Sequence, residues 1–163
     1  MAKLYIETDS IEKLIWSEND FQNMGWHDAS LWSMLADPNN YQYLFDLDYI
    51  FEWIHPKKKD ETFKFIISPV TMVFENVSDI KIDIESLDGA IEISDLYMEN
   101  TRKTPNGKMM QHTFRFNCQQ GEISLNASGY KMYVKRKPIV SESQILDLVE
   151  RGGVNFSKEF KSI

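Results

Sequence analysis

Apolar and polar side chains alternate along most of the chain beyond residue 40. In YLFDLDYIFEWIH (43–55), Phe45, Leu47, Tyr49, Phe51 and Trp53 hold odd positions. Leu44, Asp46, Asp48, Ile50, Glu52 and Ile54 hold even ones. A period of two marks a strand with one dry and one mixed face, whereas a helix would scatter these residues around its circumference. The same pattern predicts strands in FKFII (63–67), TMVFENV (71–77), DIKIDIES (79–86), AIEISDLYM (90–98), QHTFRFNC (111–118), GEISLNAS (121–128) and YKMYVKRK (130–137). Pro69 predicts a bulge or an edge, and Asn106-Gly107 and Gln119-Gln120-Gly121 predict turns. Helical spacing is confined to the ends. TDSIEKLIW (8–16) has Asp9 or Ser10 as cap, and SESQILDLVERGG (141–153) has Ser141 or Ser143 near its cap and Gly152-Gly153 as a stop. The expected fold is mainly β, a β-rich α+β arrangement. It is an antiparallel sandwich or barrel with a short N-terminal and a C-terminal helix, forming a single domain over 1–163.

A hairpin between 26–36 and 41–54, closed by the turn-rich Asp37-Pro38-Asn39-Asn40, sets Trp32 opposite Phe45 and Trp26 opposite Phe51. That register gathers Trp26, Trp32, Met34, Tyr43, Phe45, Leu47, Tyr49, Phe51 and Trp53 on one face. It leaves His27, Ala29, Leu31 and Ser33 with Leu44, Asp46, Asp48 and Ile50 on the other. Asp28 falls on the aromatic face, where a carboxylate needs donors. It either organises a strand end or anchors a ligand in an aromatic pocket formed with Trp26, Trp32 and Trp53.

Composition narrows the function. Of 163 residues, 42% are hydrophobic and 13% aromatic, which argues against disorder. The net charge of −7 is uneven: residues 1–56 carry ten acids and two bases, a net of −8, and the remainder is close to neutral. This acidic third disfavours nucleic acid as a partner and suits a basic protein. The opening stretch MAKLYIETDSIEKLIW has no long apolar run, so neither a signal peptide nor a membrane span is expected and a cytoplasmic location follows as the default. Cys118 is the only cysteine, so no internal disulfide forms and no zinc site can rest on cysteines alone.

The candidate chemistry is sparse. Asp46 and Asp48 share a face with His27, which could serve a metal or acid–base catalysis, but two carboxylates on one strand fall short of a ligand set. Like-charged neighbours on one strand face suit water or a basic partner better, and Glu52 extends the same acidic row. No G-x-S-x-G, H-E-x-x-H, P-loop or G-x-G-x-x-G occurs, so no catalytic residue, cofactor or metal is expected. Lys131, Lys135, Arg136 and Lys137 form a small basic patch that a charged sheet edge explains.

GWHDAS (25–30), LFDLDYIFEWIHP (44–56), FKFIISPVTMVFENVSDIKI (63–82) and LVERGG (148–153) together resemble a family of small uncharacterised bacterial proteins. The resemblance covers most of the chain and implies no catalytic residues. In general type the chain is similar to toxin-immunity proteins: small, acidic and without catalytic signatures. The leading expectation is therefore a non-enzymatic binding protein, an immunity-type inhibitor of a basic partner docking on Asp46, Asp48 and Glu52. A small-molecule-binding barrel comes second, and a metal-dependent hydrolase built on Asp46, Asp48 and His27 third. Oligomeric state is left open.

Overall fold

The computed structural model describes residues 4–5 and 11–161. Among them are eleven strands: β1 (Leu4–Tyr5), β2 (Ile15–Ser17), β3 (Ala29–Asp37), β4 (Gln42–Ile54), β5 (Lys64–Glu75), β6 (Ser78–Ile84), β7 (Ile91–Lys103), β8 (Met110–Cys118), β9 (Gly121–Ala127), β10 (Gly129–Val134) and β11 (Ile139–Ser141). They join in one antiparallel sheet ordered β1-β11-β5-β4-β3-β7-β8-β9-β6, with β10 placed between β5 and β2. The path does not close, so the fold is sandwich-like and not a barrel. No helix among the described residues is long and apolar enough to cross a membrane.

The alternation read from the sequence builds the main core. Tyr43, Phe45, Leu47 and Tyr49 of β4 face inward with Val70, Met72 and Phe74 of β5 and Tyr130, Met132 and Val134 of β10. The sheet passes through a short β3–β7 contact, only Ala29–Leu31 against Ile91–Ile93, and folds back on itself. Phe45 then meets Phe116 at 5.0 Å between ring centroids, and Phe74 meets Phe114 at 5.0 Å. Each such ring contributes roughly 1.5–3 kcal/mol by leaving water.

Pro69 lies within β5, opposite Asp48 of β4. Its carbonyl accepts from the Lys135 amide at 3.0 Å. In a strand, a residue's N–H and C=O point to the same edge, so the missing proline N–H faces the gap between β10 and β11. There the chain bulges from Lys135 to Pro138, and no donor is needed.

Both expected end helices are absent from the described residues. Residues 8–10 lie outside them; of the rest of that segment, Ile15–Ser17 form β2, paired with β10, and Ser17 caps a 3-10 turn at Glu18–Asn23. Residues 142–161 form an arm of turns across the outer face of β4 and β5. Ser141 Oγ accepts from the Ser143 amide and Ser143 Oγ from the Ile145 amide, local bonds that compete with a helix. One turn closes at Asp147–Arg151 and ends at Gly152 and Gly153, both with φ of +82°. A helix here would set Ile145, Leu148 and Val149 on one apolar face; all three are exposed instead, at 47%, 52% and 87%. Leu146 alone inserts, joining Ile50, Phe65, Ile67 and Ile139 in a second cluster flanked by Trp53.

The hairpin is antiparallel as expected, but its register is shifted. Pro38–Asn40 turn as a 3-10 element and Tyr41 takes a left-handed φ of 55°, so Asp37 pairs with Gln42 and Met34, not Trp32, faces Phe45. Two bulges then reverse the faces. One, at Trp32, sends Ala29 and Leu31 into the core and turns the Trp32 indole outward to Asp48. The other, at Phe51 of β4, leaves Phe51 on the core and carries Trp53 to the arm side. A bulge adds one residue, and one residue inverts the alternation beyond it.

Candidate functional site

Asp46 and Asp48 are 0% exposed. The expected wet or partner-facing row is therefore corrected: the arm covers both, while Glu52, beyond the Phe51 bulge, is exposed and no longer shares their face. Both faces of β4 are buried because the strand lies between the main core and the arm.

Two cations neutralise the pair. Arg151, itself 0% exposed in its side chain, grips Asp46 with Nη2 at 2.6 Å and Nη1 at 2.9 Å, and reaches Asp48 with Nε at 3.1 Å. Its guanidinium lies 4.6 Å from the centre of the Trp32 ring and also donates to the Gly153 carbonyl. Lys135, brought inward by the β10–β11 bulge, donates to Asp46 Oδ1 at 2.7 Å and to the Asn155 carbonyl at 2.7 Å. The Asn155 amide adds a bond to Asp46 Oδ2 at 3.1 Å, so each Asp46 oxygen accepts two hydrogen bonds and its capacity is filled. Asp48 Oδ2 accepts from the Trp32 indole at 2.8 Å and the Leu146 amide at 3.0 Å.

Burial pushes the Asp48 carboxyl above its ordinary range, against the pull of Arg151, the Trp32 indole and the Leu146 amide. Burial likewise lowers Lys135, against Asp46. Burial also opposes the charge on Arg151, but the two carboxylates outweigh it and its pKa rises. The cluster is formally neutral, two acids against two bases. A metal or substrate would have to displace Arg151 to reach either aspartate. This is a structural clasp for the arm.

A second arrangement opens to solvent. A cleft of about 490 Å³ lies between the β3–β7 junction, the 88–90 turn and the arm, lined by Asp28, Trp32, Asp88, Glu92, Gln120 and Gln144 among others, with no Lys or Arg among the described residues. Asp28 takes a left-handed φ of 65°, and its amide donates to the Ile93 carbonyl at 2.8 Å. Its carboxylate accepts from the Gln144 side chain and lies 3.5 Å from His27 Nε2. Glu92 stands beside it, opposite Ser30 of β3. A hydrogen bond with Asp28 is the main reason the Glu92 carboxyl titrates above its ordinary range. Burial and the Asp28 charge add to this, while His27 works the other way.

The other expected residues disperse. Asp28 lies at this cleft and not in the aromatic core. His27 is exposed, stacks on Trp53 at 5.8 Å and approaches the Ser94 carbonyl, so it does not join Asp46 and Asp48. Trp26 packs on Tyr49 and Tyr130 in the main core, Trp32 faces the clasp, and Trp53 packs on Phe63 and Phe65. The three indoles therefore do not enclose one pocket.

Sequence reasoning missed Arg151, Lys135, Gln144 and Glu92. One signal for the clasp was present: β4 is bulky and apolar at both odd and even positions, as in a strand buried on both sides. No protein-family model, curated protein or solved structure matches the chain.

Proposed function

We propose that the protein is a non-enzymatic binding protein whose acidic cleft receives a cationic group, a Lys or Arg side chain presented by a basic protein partner. The observation that carries this reading is the Asp28–Glu92 carboxyl pair on the wall of a cleft that has no basic lining residue among the described residues. A guanidinium or ammonium there gains two carboxylates and the side-chain amide oxygens of Gln120 and Gln144. The N-terminal third, net −8 in sequence and −6 once Asp46 and Asp48 are matched by Lys135 and Arg151, would steer such a partner, with association slowing as salt rises. A cytoplasmic, bacterial immunity-type inhibitor is the specific form we favour. It agrees with the resemblance to small bacterial proteins, and it moves the docking point from Asp46, Asp48 and Glu52 to Asp28 and Glu92.

Acetyl-arginine amide and acetyl-lysine amide, with acetyl-glutamine amide as neutral control, test the cleft chemistry by amide chemical shifts. The cations should give saturable shifts at Ala90, Glu92 and Gln144 in the millimolar range, on the order expected for one side chain. Asp28→Asn/Glu92→Gln should abolish them. Equal responses to all three amides, or none, would refute the reading. The concave shape and a volume within the usual range for small-ligand sites also support a small organic cation, and the same titration covers that case.

A further inference from the structure

We propose that a second pocket, on the opposite flank of the clasp from the acidic cleft, binds a small oxyanion, a phosphate or phosphate monoester. The pocket holds about 270 Å³ and is lined by Lys135, Arg136, Arg151, Asn155, Ser157 and Lys161, with Gly152 and Glu159 completing it.

Charge accounting separates its cations. Lys135 and Arg151 are matched one for one by Asp46 and Asp48. Arg136 and Lys161 remain, with no carboxylate in ion-pair contact among the described residues. Half-buried Arg136 offers five N–H donors, and among the described residues its side chain makes one hydrogen bond, Nη1 to the Glu150 carbonyl at 3.1 Å. Its guanidinium rests against Gly152, where an added Cβ would come within 2.5 Å of Nη2. Glycine is needed there on two counts, since φ is +82° and any Cβ would collide with the guanidinium. A parallel bridge between Arg136 and Lys161, with the Lys161 amide donating to the Lys135 carbonyl at 2.8 Å, brings the second cation beside the first.

The donors suit an oxyanion. Arg136 presents a planar fork, which matches phosphate geometry. Lys161 supplies a point charge, and Lys135, with two of its three N–H groups committed, has one left. Ser157 Oγ accepts from the Glu159 amide and keeps its own proton to donate. Glu159 is the only acid in the lining among the described residues, so the pocket keeps a positive balance. Its volume falls just below the range usual for drug-sized ligands, which selects a small anion. The basic patch read from the sequence as an edge charge thus divides: Lys135 belongs to the clasp, and Arg136 to this pocket.

The test is a titration of the full chain with sodium phosphate, with sodium chloride at matched ionic strength as control, followed by amide chemical shifts and the thermal midpoint. Phosphate should shift the amides of 152–157 saturably and raise the midpoint above the chloride control. Arg136→Gln should weaken apparent affinity at least tenfold, and Lys161→Gln by a smaller factor. In chloride, Lys161→Gln should keep the wild-type midpoint, and Arg136→Gln, which gives up its bond to the Glu150 carbonyl, should lose far less than Arg151→Met. Glycerol phosphate and acetate form the remaining arms. Tighter binding of glycerol phosphate identifies a monoester as ligand, whereas equal binding of acetate and phosphate overturns the assignment to phosphate. Equal response to phosphate and chloride, or unaltered phosphate binding in Arg136→Gln, refutes the site. Failure of the acidic cleft to bind cations leaves this outcome untouched.

Discussion

Arg151→Met is the sharpest perturbation of this fold. Methionine keeps much of the arginine stem's volume, so the change removes charge and donors and opens little cavity. Asp46 loses both N–H bonds of the guanidinium, and Asp48 loses its only cation contact. Two carboxylates, 0% exposed, are then left with Lys135 on Asp46 and no ion-pair contact on Asp48 among the described residues. Breaking a buried pair from one side costs about 3–5 kcal/mol, because the other charge stays stranded. Against a total stability of about 5–15 kcal/mol, that leaves a marginal protein. At roughly 2–4 °C per kcal/mol for a chain of this size, the thermal midpoint should fall by roughly 6–20 °C.

Arg151→Ala should cost more than Arg151→Met, since truncation of a fully buried stem adds a cavity to the same electrostatic loss. Arg151→Lys should fall between wild type and Arg151→Met, because an ammonium restores charge without the fork. Burial already raises the Asp48 carboxyl, and loss of Arg151 raises it further. A carboxyl whose folded pKa lies above its unfolded value contributes stability at low pH that is lost as pH rises through the folded pKa. The deficit of Arg151→Met relative to wild type should therefore shrink from pH 7 to about pH 5, still above the ordinary aspartate pKa of about 3.9. Urea unfolding followed by tryptophan fluorescence at both pH values reads this directly. A deficit under about 1 kcal/mol at pH 7, or one that does not change with pH, would refute the clasp.

Other expectations rest on separate parts of the fold. Phe45→Ala, at the contact between the two halves, should lower stability by about 3–5 kcal/mol in urea unfolding, and Trp53→Ala, flanking the second cluster and only half-buried, by clearly less. Gly121→Ala would set a Cβ 2.0 Å from the Asp83 carbonyl oxygen at a φ of +144°; hydrogen exchange should show β6 released first, at a cost on the order of 1–3 kcal/mol. Cys118 is buried and its thiol is pushed up to about 11, so native protein should resist a thiol reagent at pH 8 and react fully in urea. Cation binding at the acidic cleft favours ionised Glu92, whose carboxyl is raised by Asp28. Binding should therefore release protons and tighten as pH rises through that range, measurable as a buffer-dependent heat.

Strand alternation made the sheet legible, because the period of two survives wherever one face is buried. The inward set of β4, β5 and β10 follows from it directly. The faces of Trp32 and Trp53 did not, since each sits at or beyond a bulge, and no residue type there announces an extra residue. The end helices failed for a different reason. Residues 142–153 have helical spacing, but Arg151 and the Leu146 amide bind carboxylates on a strand about a hundred positions earlier. Those long-range bonds outweigh a local propensity of tenths of a kcal/mol per residue. For the same reason Asp46 and Asp48 read as wet: their partners, Lys135 and Arg151, lie 89 and 105 residues from Asp46, and periodicity carries no information across that distance.

The clasp also explains how an arm without regular structure can form precise surfaces. Residues 142–161 have no strand ladder to set their position; Leu146 and Phe160 supply apolar contact, which is non-directional and would tolerate sliding. Arg151 removes that freedom, since its fork meets Asp46 in one orientation while its Nε meets Asp48. The arm then contributes Ser143, Gln144 and Ile145 to the acidic cleft on one side and Gly152, Asn155, Ser157 and Lys161 to the basic pocket on the other. Two sites of opposite charge are thus positioned by one buried arginine. It follows that Arg151→Lys, the variant that best preserves charge, should weaken cation binding at the cleft and phosphate binding at the pocket together. Asp28→Asn should weaken only the first and Arg136→Gln only the second. Independent behaviour of the two sites in Arg151→Lys, with the arm still docked by hydrogen exchange, would show that the arm is positioned by its apolar contacts and that the clasp serves stability alone.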